Sequence, residues 1–138
     1  MKLEKFMTEV TKAILKDKRV AFWEYADKVV ISHNGFFAMI VSKKRNIFNH
    51  EISKNNPIPC DWNAHKLKDT EQLRKIGKTT VHIFETEKGE KVQIDEKYLN
   101  YFDGCAEFYA KPKTAVIVSE DGGKNPCGVI MPIVKRGE

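Results

Sequence analysis

The apolar positions of this chain switch period repeatedly, and each switch marks an element. Leu3, Phe6, Met7, Val10, Ala13 and Ile14 recur at intervals of one, three or four, the spacing that lays side chains along one side of an α-helix. The pattern predicts an amphipathic helix over 3–16, with Lys5, Glu9, Lys12 and Lys16 on its outer side. The next stretch, "RVAFWEYADKVVISHNGFFAMIVSKK", is rich in β-branched and aromatic residues, which suit a pleated, half-buried surface. The turns "YADK" and "HNG" divide it into strands at 19–25, 28–33 and 36–42. Asn34-Gly35 is expected to close a tight hairpin with positive φ.

Periodicity weakens over residues 43–65, where "KKRN" is a charged break and "KNNPIPCDWN" holds two prolines, which exclude regular helix there. "DTEQLRKIG" is expected to be a short helix, capped by Asp69 or Thr70 and ended by Gly77. Alternation returns in "TTVHIFETEKGEKVQI", a hairpin turning on "EKGE" with Val81, Ile83, Val92 and Ile94 as its apolar positions. "DEKYLNYFDG" predicts a second short helix, capped by Asp95, burying Tyr98, Leu99 and Phe102, and stopped by Gly104. Strands follow at "AEFYA", "TAVIVSE" and "GVIMPI". A helix followed by three strands thus occurs at both ends of the chain. The expected fold class is α+β, with helices packed on antiparallel sheet and residues 43–80 as an insertion or irregular connection.

Length and composition agree with this picture. The 138 residues suffice for one domain with its own core, and 41% hydrophobic with 31% charged residues describes a soluble globular chain. Apolar runs such as "GFFAMIV" are too short to cross a bilayer, and the charged stretch "MKLEKFMTEVTK" is unlike a signal peptide. No membrane association and a cytoplasmic location are the expectation. Cys60, Cys105 and Cys127 form an odd, widely spaced set, which fits reduced thiols better than a disulfide framework. Charge changes the picture more: residues 1–78 carry +7 and residues 79–138 carry −2. The first half therefore suits an acidic partner or a solvated basic surface.

Residues suited to catalysis do not converge. Cys60 and His65 are neighbours in "CDWNAH", but no flanking pattern resembles a thiol enzyme, and His50, Cys60, Asp61 and His65 match no zinc spacing. "EDGGKNPCG" lacks the spacing of a phosphate loop and lies between strands. The glutamates of "ETEKGE" and the pair Asp95-Glu96 belong to a turn and a cap. The sequence therefore favours a protein that is not an enzyme and needs no metal or cofactor, with a small Cys/His enzyme as the lesser reading. Residues suited to phosphate contact are Lys5, Lys12 and Lys16 on the first helix, Lys18 and Arg19 after it, and the run Lys43, Lys44 and Arg45. The same lysines suit a plain solvated helix face.

Three stretches carry a family likeness: "KVVISHNGFFAMIV", "VQIDEKYLNYFDG" and "AVIVSEDGGKNPCGVIMPI". In this order they resemble the strand-turn-strand, the strand entering a Tyr-Leu helix, and the terminal Met-Pro hairpin of a single domain of the bacterial sliding clamp. The resemblance covers roughly 1–42 and 91–134 and skips the middle. It implies a DNA clamp-like fold made of two helix–antiparallel-meander units. It also implies a DNA-facing helix at 3–16, sheet edges that pair between domains, and a partner-binding segment at Val129, Met131, Pro132 and Ile133. Function would then lie in DNA replication, with double-stranded DNA or a replication protein as partner and with self-association through sheet edges. A ring needs several such domains and this chain has the length of one. A small accessory protein of a phage or mobile element fits the resemblance as well as a processivity factor does. A protein-protein adaptor or inhibitor without DNA contact is the alternative.

Overall fold

The first helix, α1, spans Leu3–Leu15 and buries Phe6, Met7, Val10 and Ala13, as the apolar spacing requires. Its end is a Schellman turn: Asp17 has φ +53, and the amides of Asp17 and Lys18 donate to the carbonyls of Ile14 (3.1 Å) and Ala13 (2.9 Å). The chain is thereby turned back into β1 (Ala21–Tyr25), β2 (Lys28–Ser32) and β3 (Phe37–Ser42), an antiparallel meander. The computed structural model describes residues 2–48, 51–53, 64–111 and 114–133.

After a turn of 3₁₀ helix at Lys43–Arg45 come β4 (Lys68–Ile76), β5 (Thr79–Glu85) and β6 (Lys91–Asp95). A short helix, α2 (Glu96–Leu99), leads to β7 (Glu107–Tyr109), β8 (Val116–Ser119) and β9 (Gly128–Ile130). The architecture is α+β with two antiparallel sheets, ordered β1-β2-β3-β9-β8-β7 and β4-β5-β6. In the larger sheet the meanders β1-β2-β3 and β7-β8-β9 meet through β3 and β9, where Phe37 pairs with Ile130 and Ala38 with Val129.

"DTEQLRKIG" is strand and not helix. Its capping residues act as such, but on a bulge: the amide of Glu71 donates to Asp69 Oδ1 (2.8 Å) and that of Gln72 to Thr70 Oγ1 (3.2 Å). Glu71 takes φ +62 there, and the register on β5 shifts between Asp69 and Gln72. Gly77, with φ +61, opens a two-residue hairpin loop between Ile76 and Thr79. Residues 68–76 are thus ordered by hairpin pairing with β5, which overrides helix propensity.

The second helix is shorter than expected. Asp95 caps it by accepting from the Lys97 amide (3.0 Å), but the helix ends at Leu99, and Gly104 does not stop it. The "HNG" turn is also longer than a two-residue loop, because Ser32 pairs with Ala38. Asn34 works there through its side chain, its Oδ1 accepting from the amides of Phe36 (2.9 Å) and Phe37 (3.0 Å), while Gly35 takes φ +78.

One face of the larger sheet, with Phe22, Val29, Ile31, Phe37, Met39, Val41 and Ile130, packs on Phe6, Met7 and Val10 of α1 and on Phe84, Val92 and Ile94 of the smaller sheet. Phe37 centres this core. Its ring stacks on Tyr98 (5.0 Å) and Tyr101 (4.9 Å) and meets Phe6 and Phe102 edge-on, each such pair contributing about 0.5–1.5 kcal/mol beyond area burial. The opposite face buries Trp23, Val30, Ala38, Ile40 and Val129. Burial on both faces explains why β2 and β3 read as nearly unbroken apolar runs. No described helix is long and apolar enough to cross a membrane.

Candidate functional site

A cleft of about 1300 Å³ opens between the outer side of α1 and the β1-β2 end of the larger sheet. Lys12 of α1, Lys16 at its C-cap, and Lys18 and Arg19 at and after its Schellman turn line it with Val20, Phe22 and Trp23. Opposite them lies the turn Ser32–Gly35. That turn is braced from below: the Ser32 hydroxyl donates to the Phe37 carbonyl (2.7 Å) and accepts from the Gly35 amide (3.0 Å). Asn34 Nδ2 donates to the Tyr98 hydroxyl (2.9 Å), which ties the turn to α2.

Electrostatics in the cleft are basic but mixed. All four cationic side chains are exposed, and Glu9 and Glu51 share the lining. His33 packs edge-on against Phe6 with ring centroids 5.5 Å apart. Burial lowers its pKa below the ordinary 6.5, assisted by Lys18 and Lys97 and opposed by Glu9. The ring is therefore neutral at pH 7, and the cleft's positive charge comes from lysine and arginine. This arrangement can hold an anionic, extended ligand by charge. Glu51, Ser32, His33 and Asn34 join the cleft by tertiary packing, signalled in the sequence only by the turn, whereas Glu9 shares the helix face of Lys12 and Lys16 by periodicity.

The remaining expected phosphate contacts lie elsewhere. Lys5 sits over the Tyr101 ring, its Nζ 4.7 Å from the centroid. Lys43, Lys44 and Arg45 are exposed and follow Ser42, which pairs with Lys28 at the end of β2 remote from Ser32. Five strand residues, or about 13 Å, separate that basic run from the turn that lines the cleft. The structure therefore gathers Lys12, Lys16, Lys18 and Arg19 and leaves Lys5 and 43–45 apart.

The C-terminal segment is used internally. Val129 is enclosed in the reverse-face core, and Met131, half-buried, packs on the same cluster. The Met131 amide donates to the Phe36 carbonyl (2.7 Å) and the Ile133 amide to the Gln93 carbonyl (2.8 Å). Pro132 falls between these two donors, where the chain leaves the larger sheet for the smaller one and no ladder hydrogen bond is required of it. Val129 thus presents no surface to a partner; the half-buried residues of this segment are Met131, Pro132 and Ile133.

Of the sulfur and imidazole candidates, His50, Cys60 and Asp61 lie outside the described residues. His65 is exposed and its carbonyl accepts from the Ala110 amide (3.0 Å). Among the described residues no group of three or more His, Cys, Asp or Glu is placed to hold a metal ion. Compared with known proteins, the chain matches no family model, no curated protein and no solved structure.

Proposed function

We propose that the chain is a non-enzymatic, clamp-like binding module that acts in or on DNA replication by holding the phosphates of duplex DNA along the cleft beside α1. One observation carries the reading: Lys12, Lys16, Lys18 and Arg19, dispersed over a helix and the loop after it, line a single cleft. The mechanism is electrostatic and geometric. Each lysine or arginine that neutralises a phosphate releases counterions, so affinity falls with salt in proportion to the contacts made. The helix–meander order at both ends of the chain supports the clamp likeness at the level of topology.

The test is fluorescence anisotropy with a labelled duplex over a salt series. Four phosphate contacts give a slope of log K against log salt of about −3.6, and each charge-removing substitution in Lys12, Lys16, Lys18 or Arg19 flattens it by about one. Changing Lys43, Lys44 and Arg45 leaves the slope intact. Absence of duplex binding at low salt, or binding indifferent to the cleft variants, overturns the proposal. The shared lining of Glu9 and Glu51 with exposed lysines suits a mixed-charge protein surface as the second reading. Partner binding that persists in high salt without DNA affinity selects that adaptor or inhibitor role.

A further inference from the structure

Among the described residues, three of the four sheet edges are met by this chain itself. Ser53 borders β1, exchanging hydrogen bonds with the Phe22 carbonyl and the Glu24 amide (2.8 and 3.1 Å). Residues 65–67 border β7 through the Leu67 amide to the Phe108 carbonyl (2.7 Å) and the Ala110 amide to the His65 carbonyl (3.0 Å). Ile133 borders β6 at Gln93. The outer edge of β4 has no such neighbour, although β4 is the longest strand at nine residues. Leu73 and Ile76 are 60% and 41% exposed on it. A long open edge with exposed apolar side chains is a template for another strand.

We infer that β4 pairs antiparallel with β4 of a second copy across a two-fold axis at Leu73, joining the two small sheets into one. The hydrogen-bonding parity comes from the hairpin. Ile76 and Thr79 close a two-residue loop, so Ile76 and Arg74 bond inward to β5, leaving the amides and carbonyls of Leu73 and Lys75 facing out. The charge order selects the partner. Lys68, Asp69 and Glu71 occupy the first half of β4, one net negative charge, and Arg74 and Lys75 the second, two positive ones. A parallel copy sets like charges side by side, and an antiparallel copy opposes them. With Leu73 facing Leu73 of the second copy, Glu71, in the bulge at the end of each ladder, comes beside Lys75 of the other strand on both sides of the axis. A shift of register by one residue mismatches the outward hydrogen bonds; centring on Arg74 opposes two guanidinium groups. Neither Glu71 nor Lys75 has an ion-pair partner within the chain among the described residues, although Lys75 Nζ donates to Thr80 Oγ1 (2.7 Å). The bulge at Glu71 ends the regular ladder there, so the contact is short and concentration-dependent.

Sedimentation equilibrium of the full chain, from micromolar to millimolar, tests this. The expected result is a reversible rise from 15.9 kDa to twice that mass, abolished by Leu73→Arg. Glu71→Lys or Lys75→Glu alone, each creating like-charge pairs at both symmetric positions, weakens dimerisation by about tenfold, and the double charge swap restores it. Circular dichroism confirms that each variant is folded, and the double swap serves where a single variant is not. A 15.9 kDa species at every concentration, a dimer untouched by Leu73→Arg, or a charge swap that fails to restore association overturns the inference.

Discussion

Gly128 in β9 lies so close to the ring of Phe102 that a β-carbon at 128 would overlap the ring atoms Cζ and Cε1, with the Ala38 carbonyl oxygen 3.4 Å away on the other side. The backbone at Gly128 is not left-handed, so the requirement is for space alone. The ring cannot swing freely, because Phe102 also packs edge-on against Phe37 at 5.8 Å. Gly128→Ala is expected to destabilise the fold by about 1–3 kcal/mol, the usual cost of overpacking. Adding Phe102→Leu should return part of that loss. Urea unfolding of the three variants measures both effects, and an unchanged midpoint for Gly128→Ala refutes the account.

A gain in stability is expected at the opposite end of the sheet. Ala26 is the first residue of the two-residue loop between Tyr25 and Lys28 and takes φ +52. An L side chain in this region costs about 1–2 kcal/mol, and glycine avoids that cost while losing some to its greater unfolded-state entropy. Ala26→Gly should therefore raise the unfolding free energy by roughly 1 kcal/mol. Asp27→Gly, at the neighbouring position without positive φ, should lower it. Thermal and urea midpoints of the pair give the comparison.

Both positions show how far the chain could be read before folding. Strand chemistry and turn residues located β1, β2, β3, β5, β6, β7, β8 and β9 because their apolar positions face a core on one side or both. β4 escaped because none of its residues is buried; with no burial pattern to read, helix-forming side chains and correct capping groups pointed to a helix. What orders it is its hairpin partner β5 just beyond Gly77, a cross-strand term that the side-chain pattern of 68–76 by itself does not contain. The cleft was half legible for a related reason. Lys12 and Lys16 share a helix face by periodicity, but Lys18 and Arg19 reach the same lining only because Asp17 closes a Schellman turn. Glu51 and the Ser32–Gly35 turn arrive there through sheet packing.

The two described cysteines should react very differently. Burial is the chief cause that pushes the Cys127 thiol up to about 12, reinforced by Glu120, whereas Cys105 is exposed. Since the thiolate is the nucleophile, a disulfide reagent near neutral pH should label Cys105 first, with Cys127 slower by about a hundredfold or more. Peptide mass mapping over time separates these sites from Cys60. In urea above the unfolding midpoint the difference should vanish. Rapid labelling of Cys127 in the folded protein would contradict its half-burial at the end of the β8-β9 connection.

Acid should act on that same connection through Asp121. Its carboxylate accepts from the Asn125 amide (2.9 Å), the Ser119 hydroxyl (2.7 Å), Asn125 Nδ2 (3.0 Å) and the Lys124 amide (3.0 Å). These bonds, the Asn125 amide foremost, hold its pKa well below the ordinary 3.8 despite full exposure. All of them favour the ionised form, so the folded state resists protonation more than the unfolded chain does. The contribution to stability is therefore complete above the unfolded value of 3.8 and is lost as pH falls toward the folded one. Glu107, bonded by Tyr109 and Lys66, and Glu85, bonded by Lys91, are depressed in the same direction, so wild-type stability falls steadily on acidification. Asp121→Asn removes one of these titrating groups and one charged acceptor. The variant should be less stable than wild type at pH 7, and the gap should narrow as pH drops below 3.8. Urea midpoints measured for both proteins across that interval decide the matter: a gap that stays constant with pH would mean that the loop holds Asp121 by shape and not by charge.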